Sequence, residues 1–208
     1  MTEQAAKVAL SPFELELVSD VAWIYAKNQI VEKTAVLLGA VAAHLQSLYT
    51  DPSGSLPACL KQSPKISRGE AYEELPWLML DFPREFHGED WLAVRHFFSW
   101  GRGFTVSLLL RGIHLDRALG CLERHWSNWQ QAGLAQVTGS DPWKHHANPT
   151  MQRLLAEITR EELTAMARAQ GFLQIRKHLP IQEWAGAVLF MKETHQAFLP
   201  LIQEIGQI

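Results

Sequence analysis

Apolar and polar positions are patterned most clearly between Leu75 and Gly112, where three apolar runs are separated by turn residues; the sheet is expected there. Leu75 to Phe82 is apolar on both sides of the pleat, which predicts a strand covered on both faces, with Pro76 at its start and Pro83 as its stop. Trp91 to Trp100 and Phe104 to Arg111 flank Gly101-Arg102-Gly103, a three-residue connector whose glycines accept positive φ, and read as a hairpin. With Trp100 opposite Phe104, Phe98 faces Val106, His96 faces Leu108 and Val94 faces Leu110, an apolar set that belongs to the core. The other face mixes Ala93, Arg95, Phe97 and Ser99 with Thr105, Ser107, Leu109 and Arg111. That mixture is too polar for a dry interior and too apolar for open solvent, so it is expected to be half covered by a helix or to line a groove.

Helical spacing dominates elsewhere. Ser11-Pro12-Phe13-Glu14 is a capping box with proline at the first helical position, so a helix should begin at Pro12. Phe13, Leu17, Val18, Val21, Ile24 and Tyr25 form one stripe. The pattern loosens around Lys27-Asn28 and resumes through Ile30, Leu38, Val41 and Leu45, predicting two helices or one kinked helix ending near Tyr49. Leu56 to Glu74, with two prolines and one glycine, reads as a long connection. Leu115 to Gln131 is helical in spacing, Leu134 to Thr138 predicts a short strand, and Asn148-Pro149 and Thr159 to Glu162 read as helix starts. Gly171 should stop the second of these. Phe172 to Leu179 alternates as a strand placed at an edge by Arg176, Lys177 and His178, and Ile181 to Ile205 is a closing amphipathic helix.

These elements predict an α+β fold, a mostly antiparallel sheet built on a central β-hairpin and covered by N-terminal and C-terminal helices. Its 208 residues suit a single domain, with 1–10 flexible, 11–49 helical, 75–112 as sheet core, and 115–206 as helices with one or two further strands. With 22 acidic and 19 basic residues interspersed and a net charge of −3, the chain lacks the basic footprint of a nucleic-acid or membrane-surface binder. No secretory signal or run of roughly 20 apolar residues is present, so a cytoplasmic protein is expected. The two cysteines, Cys59 and Cys121, read as isolated thiols, with a disulfide between them as the alternative; neither is expected to have a CxxC partner or a histidine at metal spacing beside it.

Lys65-Ile66-Ser67, Gly69-Glu70, Tyr72, Leu75-Pro76, Leu80-Asp81, Pro83-Arg84 and Trp100-Gly101 resemble a group of uncharacterised bacterial proteins best represented in Bacteroidetes. The resemblance is strongest over residues 65–112. It implies a cytosolic single-domain protein and brings no activity, cofactor or site residue with it.

The candidate chemistry is local. Asp141, Trp143, His145 and His146 cluster in a turn-rich segment, where a carboxylate orienting a histidine suits acid–base work, and an Asp with a His four residues later suits one metal, with His87 or Asp81 as a third donor. The competing reading is a turn opened by Asp141-Pro142, a gap plugged by Trp143 and two solvated histidines. Asp81 either anchors the Pro83-Arg84 turn or is a functional strand-end carboxylate. In the expected register Arg95 and Arg111 lie diagonally on one face, placed to clamp a small anionic ligand or to pair with surface acids. No HExxH, GxSxG, P-loop or dinucleotide motif is present. Two functions follow: a non-catalytic soluble binding or assembly protein using the mixed sheet face, for which a protein partner or a homo-oligomer fits; and a hydrolase-like enzyme, metal-dependent or not, built on Asp141, His145 and His146. No cofactor or resident metal is predicted.

Overall fold

A computed structural model of the chain describes residues 8–49, 57–145 and 149–206. In chain order they form α1 (Pro12–Ser19), α2 (Val21–Leu48), α3 (Ala58–Lys61), β1 (Lys65–Tyr72), β2 (Leu75–His87), β3 (Asp90–Ser99), β4 (Gly103–Arg111), α4 (Ile113–Gln131), β5 (Ala135–Val137), β6 (Gln152–Leu154), α5 (Arg160–Gln170), β7 (Phe172–Pro180) and α6 (Ala187–Ile205), with short 3-10 turns at Pro149–Met151, Leu155–Glu157 and Ile181–Gly186. The strands make one antiparallel sheet in the order β1-β2-β3-β4-β7-β5-β6. The α+β architecture expected from the hydrophobic pattern is thus the observed one.

The hairpin forms where expected, but its register is slid by two residues. Phe98 pairs with Phe104, His96 with Val106, Val94 with Leu108 and Leu92 with Leu110, and the loop is Trp100-Gly101-Arg102. An even slide keeps every side chain on its predicted face. Gly103 explains it: at φ +115 it lies inside the ladder, and a Cβ there would run into the Leu179 carbonyl of β7. Gly103→Ala is therefore expected to lower stability by about 1–3 kcal/mol, read as a fall in the urea midpoint.

Four other expectations are corrected. Leu56 to Glu74 is not a long connection, since it holds α3 and the edge strand β1. Pro83 does not end β2, because it falls in a bulge between Asp81 and Arg84 where the register with β3 shifts and no ladder N–H is needed. The N-terminal helix breaks at Asp20 rather than near Lys27, and Asp20 caps α2 by accepting from the backbone N–H groups of Ala22 and Trp23. β7 is not an edge: it lies between β4 and β5, with Arg176 buried. The capping box at Thr159 and the left-handed Gly171 after α5 are as expected.

One face of the sheet carries the apolar core. Leu78, Leu80, Leu92, Val94, Phe98, Phe104, Val106, Leu108, Leu110, Leu173 and Ile175 pack against Leu38, Val41 and Leu45 of α2, Leu122 and Trp129 of α4, and Met191, Phe198 and Leu201 of α6. Within this core the imidazoles of His96 and His195 stack at 5.3 Å with 13° between their planes, and the His195 Nε2 lies 2.7 Å from the Tyr49 hydroxyl. Burial pushes the His96 pKa down to about 4 and holds that of His195 well below its ordinary value, so both rings are neutral. Both cysteines are free and buried. Among the described residues no helix is long and apolar enough to cross a membrane.

Candidate functional site

The mixed face is not an open groove. One row across it runs Lys65, Asp81, Arg95, Ser107, Arg176 and Ala135, and four of these six, from Asp81 to Arg176, are buried polar or charged residues. Asp81 accepts from the Arg95 Nε and Nη2, each at 2.8 Å, in a two-pronged carboxylate–guanidinium pair. The third nitrogen, Nη1, lies 2.7 Å from the His145 Nε2. A guanidinium only donates, so this His145 nitrogen accepts and is not available to take a proton from a substrate. The His145 backbone N–H donates to the Tyr72 hydroxyl at 2.8 Å, and its ring packs on Tyr72 and Phe97. Trp143 closes the outside, its ring 5.6 Å from the Arg95 guanidinium carbon and 5.1 Å from Trp91. The segment carrying Trp143 and His145 is therefore a strap pinned over the sheet by a buried ion pair and aromatic contacts.

Four of the residues singled out in the sequence, Asp81, Arg95, Trp143 and His145, meet here. The others do not. Asp141 is exposed and accepts from the Trp143 backbone N–H at 2.9 Å, which is the turn-opening role, and it orients no histidine among the described residues. His146 lies outside the described residues. His87 is exposed at the far end of β2, 3.8 Å from Glu85. Arg111 is four ladder positions from Arg95, roughly 13 Å along the strands, because it pairs with Trp91; it bonds Glu89 and lies over the Trp91 ring at 4.8 Å. The slid register removes the expected two-arginine clamp.

The surface that stands out instead is the N-terminal helical arm. Every residue from Val8 to Ala26 is exposed, and the first buried residue of α2 is Val31. Ten large apolar side chains lie on it: Val8, Leu10, Phe13, Leu15, Leu17, Val18, Val21, Trp23, Ile24 and Tyr25, 43–84% exposed. Farther along α2, Tyr25, Asn28, Gln29, Glu32, Lys33 and Val36 line a shallow groove. Ion pairs from Lys27 to Glu70 at 2.6 Å and from Glu32 to Arg68 at 2.9 Å tie α2 to β1. Together these contacts hold the arm in place without covering it.

One further cluster escaped the sequence reading. Cys121 and His125 are one turn apart on α4 and face Glu204 of α6, and the Sγ, the imidazole nitrogen and a carboxylate oxygen all lie within 4.8 Å of one another. The signal was there: cysteine and histidine spaced i, i+4 share one side of a helix.

The chain matches no protein-family model, no curated protein and no solved structure, and its functional reading rests on its own residues.

Proposed function

We propose that this chain is a non-catalytic assembly protein that pairs with a second copy of itself through α1 and α2. The observation that carries the reading is the uncovered apolar arm. Ten side chains of this size at these exposures present on the order of 1,000 Å² of apolar surface, above the few hundred Å² usual for a monomer and comparable to the roughly 800 Å² per partner of a standard interface.

A second copy is favoured over a lipid surface by charge. From Val8 to Tyr25 the arm holds Glu14, Glu16 and Asp20 and no lysine or arginine, so an anionic membrane would repel it. It is favoured over an unrelated partner by self-complementarity. In an antiparallel α2 pair with its two-fold axis between Asn28 and Gln29, Val21 meets Val36 of the partner subunit, Tyr25 meets Glu32 of the partner subunit, and the central amides meet each other. That is the reciprocal pattern of a two-fold interface.

Sedimentation equilibrium tests this. The full chain is expected to be a dimer with a dissociation constant of about 1 μM or tighter, and Val21→Glu with Tyr25→Glu is expected to give a monomer with unchanged circular dichroism, since neither residue is buried. A monomeric wild-type chain at well above that concentration, or a variant that still dimerises, would overturn the reading.

A further inference from the structure

We infer that Cys121, His125 and Glu204 form a binding site for a zinc-class divalent transition metal, with three protein ligands and a fourth position left to water. The three donors come from two helices that the core already packs together, so the site is preformed. Cys121 and His125 project from one side of α4, and the His125 Nε2 lies 2.8 Å from Glu204 Oε2. Donors around a tetrahedral zinc with bonds of about 2.0–2.3 Å sit roughly 3.3–3.8 Å apart, so atoms already within 4.8 Å close on an ion by small side-chain rotations.

The donor set selects the metal. A thiolate, an imidazole and a carboxylate together suit zinc or cobalt, whereas magnesium and calcium prefer oxygen alone. Convergence argues for coordination rather than a thiol–imidazole relay. In a relay the imidazole bridges thiol and carboxylate through opposite nitrogens; here the Cys121 Sγ, which donates to the Ala118 carbonyl at 3.6 Å, lies within 4.8 Å of the same Glu204 carboxylate that the His125 Nε2 approaches at 2.8 Å. The competitor for that carboxylate is Arg124, which bonds Glu204 from outside. Arg124 is 63% exposed and can swing into water, and an exposed pair of this kind stabilises weakly compared with a metal–thiolate bond. With Glu204 at 34% exposure, the fourth coordination position opens toward solvent.

Cobalt(II) titration of the full, untagged chain tests the site, because thiolate-bound tetrahedral cobalt shows a near-ultraviolet charge-transfer band and intense visible bands. One equivalent is expected to bind and to be displaced by zinc. Cys59→Ser should keep both bands, Cys121→Ser should lose the charge-transfer band, and His125→Gln and Glu204→Gln should each weaken binding at least tenfold. Glu204 is a surface group, so its variant remains informative if the cysteine variant fails to fold. Absence of stoichiometric uptake by the wild-type chain, or uptake unchanged in both Glu204→Gln and His125→Gln, would overturn the assignment.

Discussion

Asp81→Ala is expected to destabilise the fold by about 3–5 kcal/mol, the range seen when one partner of a buried ion pair is removed. Asp81 and Arg95 are both almost fully buried, and the carboxylate accepts two of the guanidinium's bonds at 2.8 Å. Without it the Arg95 charge stays inside the protein with the His145 nitrogen as its hydrogen-bond partner, a dipole in place of an anion. Trp143 and His145 should loosen with it, because the guanidinium is the group on which both rest. A lower urea midpoint with an unchanged slope, and faster proteolysis within 138–145, would be the result. Asp81→Leu combined with Arg95→Met should recover most of the loss, since an apolar pair of similar volume leaves no charge buried. A loss below about 1 kcal/mol in the single variant would show that the pair does not hold the strap.

Acidification should produce the other large effect. His96 is pushed by burial from 6.5 down to about 4, with the Leu80 carbonyl contact and the Asp81 charge offsetting part of the shift. The unfolded chain therefore binds a proton at His96 below about pH 6.5, whereas the folded chain does so only below about 4. Stability is complete above the higher value and falls as pH drops through this window. At about 1.4 kcal/mol per pKa unit, His96 alone accounts for a loss on the order of 3 kcal/mol by pH 4. His195, lowered by burial and by its neighbours His96 and His44, acts in the same direction. The two rings are stacked, so their contributions are not additive. Urea midpoints measured from pH 7.5 to 4.5 should fall steeply, and His96→Leu should flatten that slope whatever it does to stability at neutral pH. Parallel pH curves for the two proteins would rule out this source.

Much of the fold was legible because local periodicity and global burial agree. The capping boxes at Ser11 and Thr159, the left-handed Gly171 and the alternation of β3 and β4 each carry their structural reason within a few residues. β1 was not legible. Its sequence, KISRGEAY, is polar because it sits at the sheet edge, where little of it is buried, and an exposed edge strand needs no hydrophobic signature. β7 misled in the opposite direction. Charge at Arg176 and Lys177 suggests an edge, yet the three-residue β5 covers it, and a partner that short leaves almost no pattern to read.

The candidate sites divide along the same line. Cys121 and His125 were readable as one side of a helix; Glu204, some eighty residues later, joins them only because α4 and α6 pack side by side. The two-arginine clamp failed for a reason that alternation cannot detect: an even slide of register preserves which face each residue occupies while moving its cross-strand neighbours by two positions.

By itself, the order of residues determined which segments coil or extend, where they are capped, and which side chains share a face, since each depends on neighbours within about one helical turn or one strand pair. Tertiary structure alone decided what lies against those faces. The Phe13 to Tyr25 stripe looks the same in sequence whether another element covers it or not, and only the position of α2, which begins ten residues before Val31, the first residue it buries, leaves that stripe in water. Periodicity records that a surface is apolar, and the packing of distant elements settles whether the chain itself covers it.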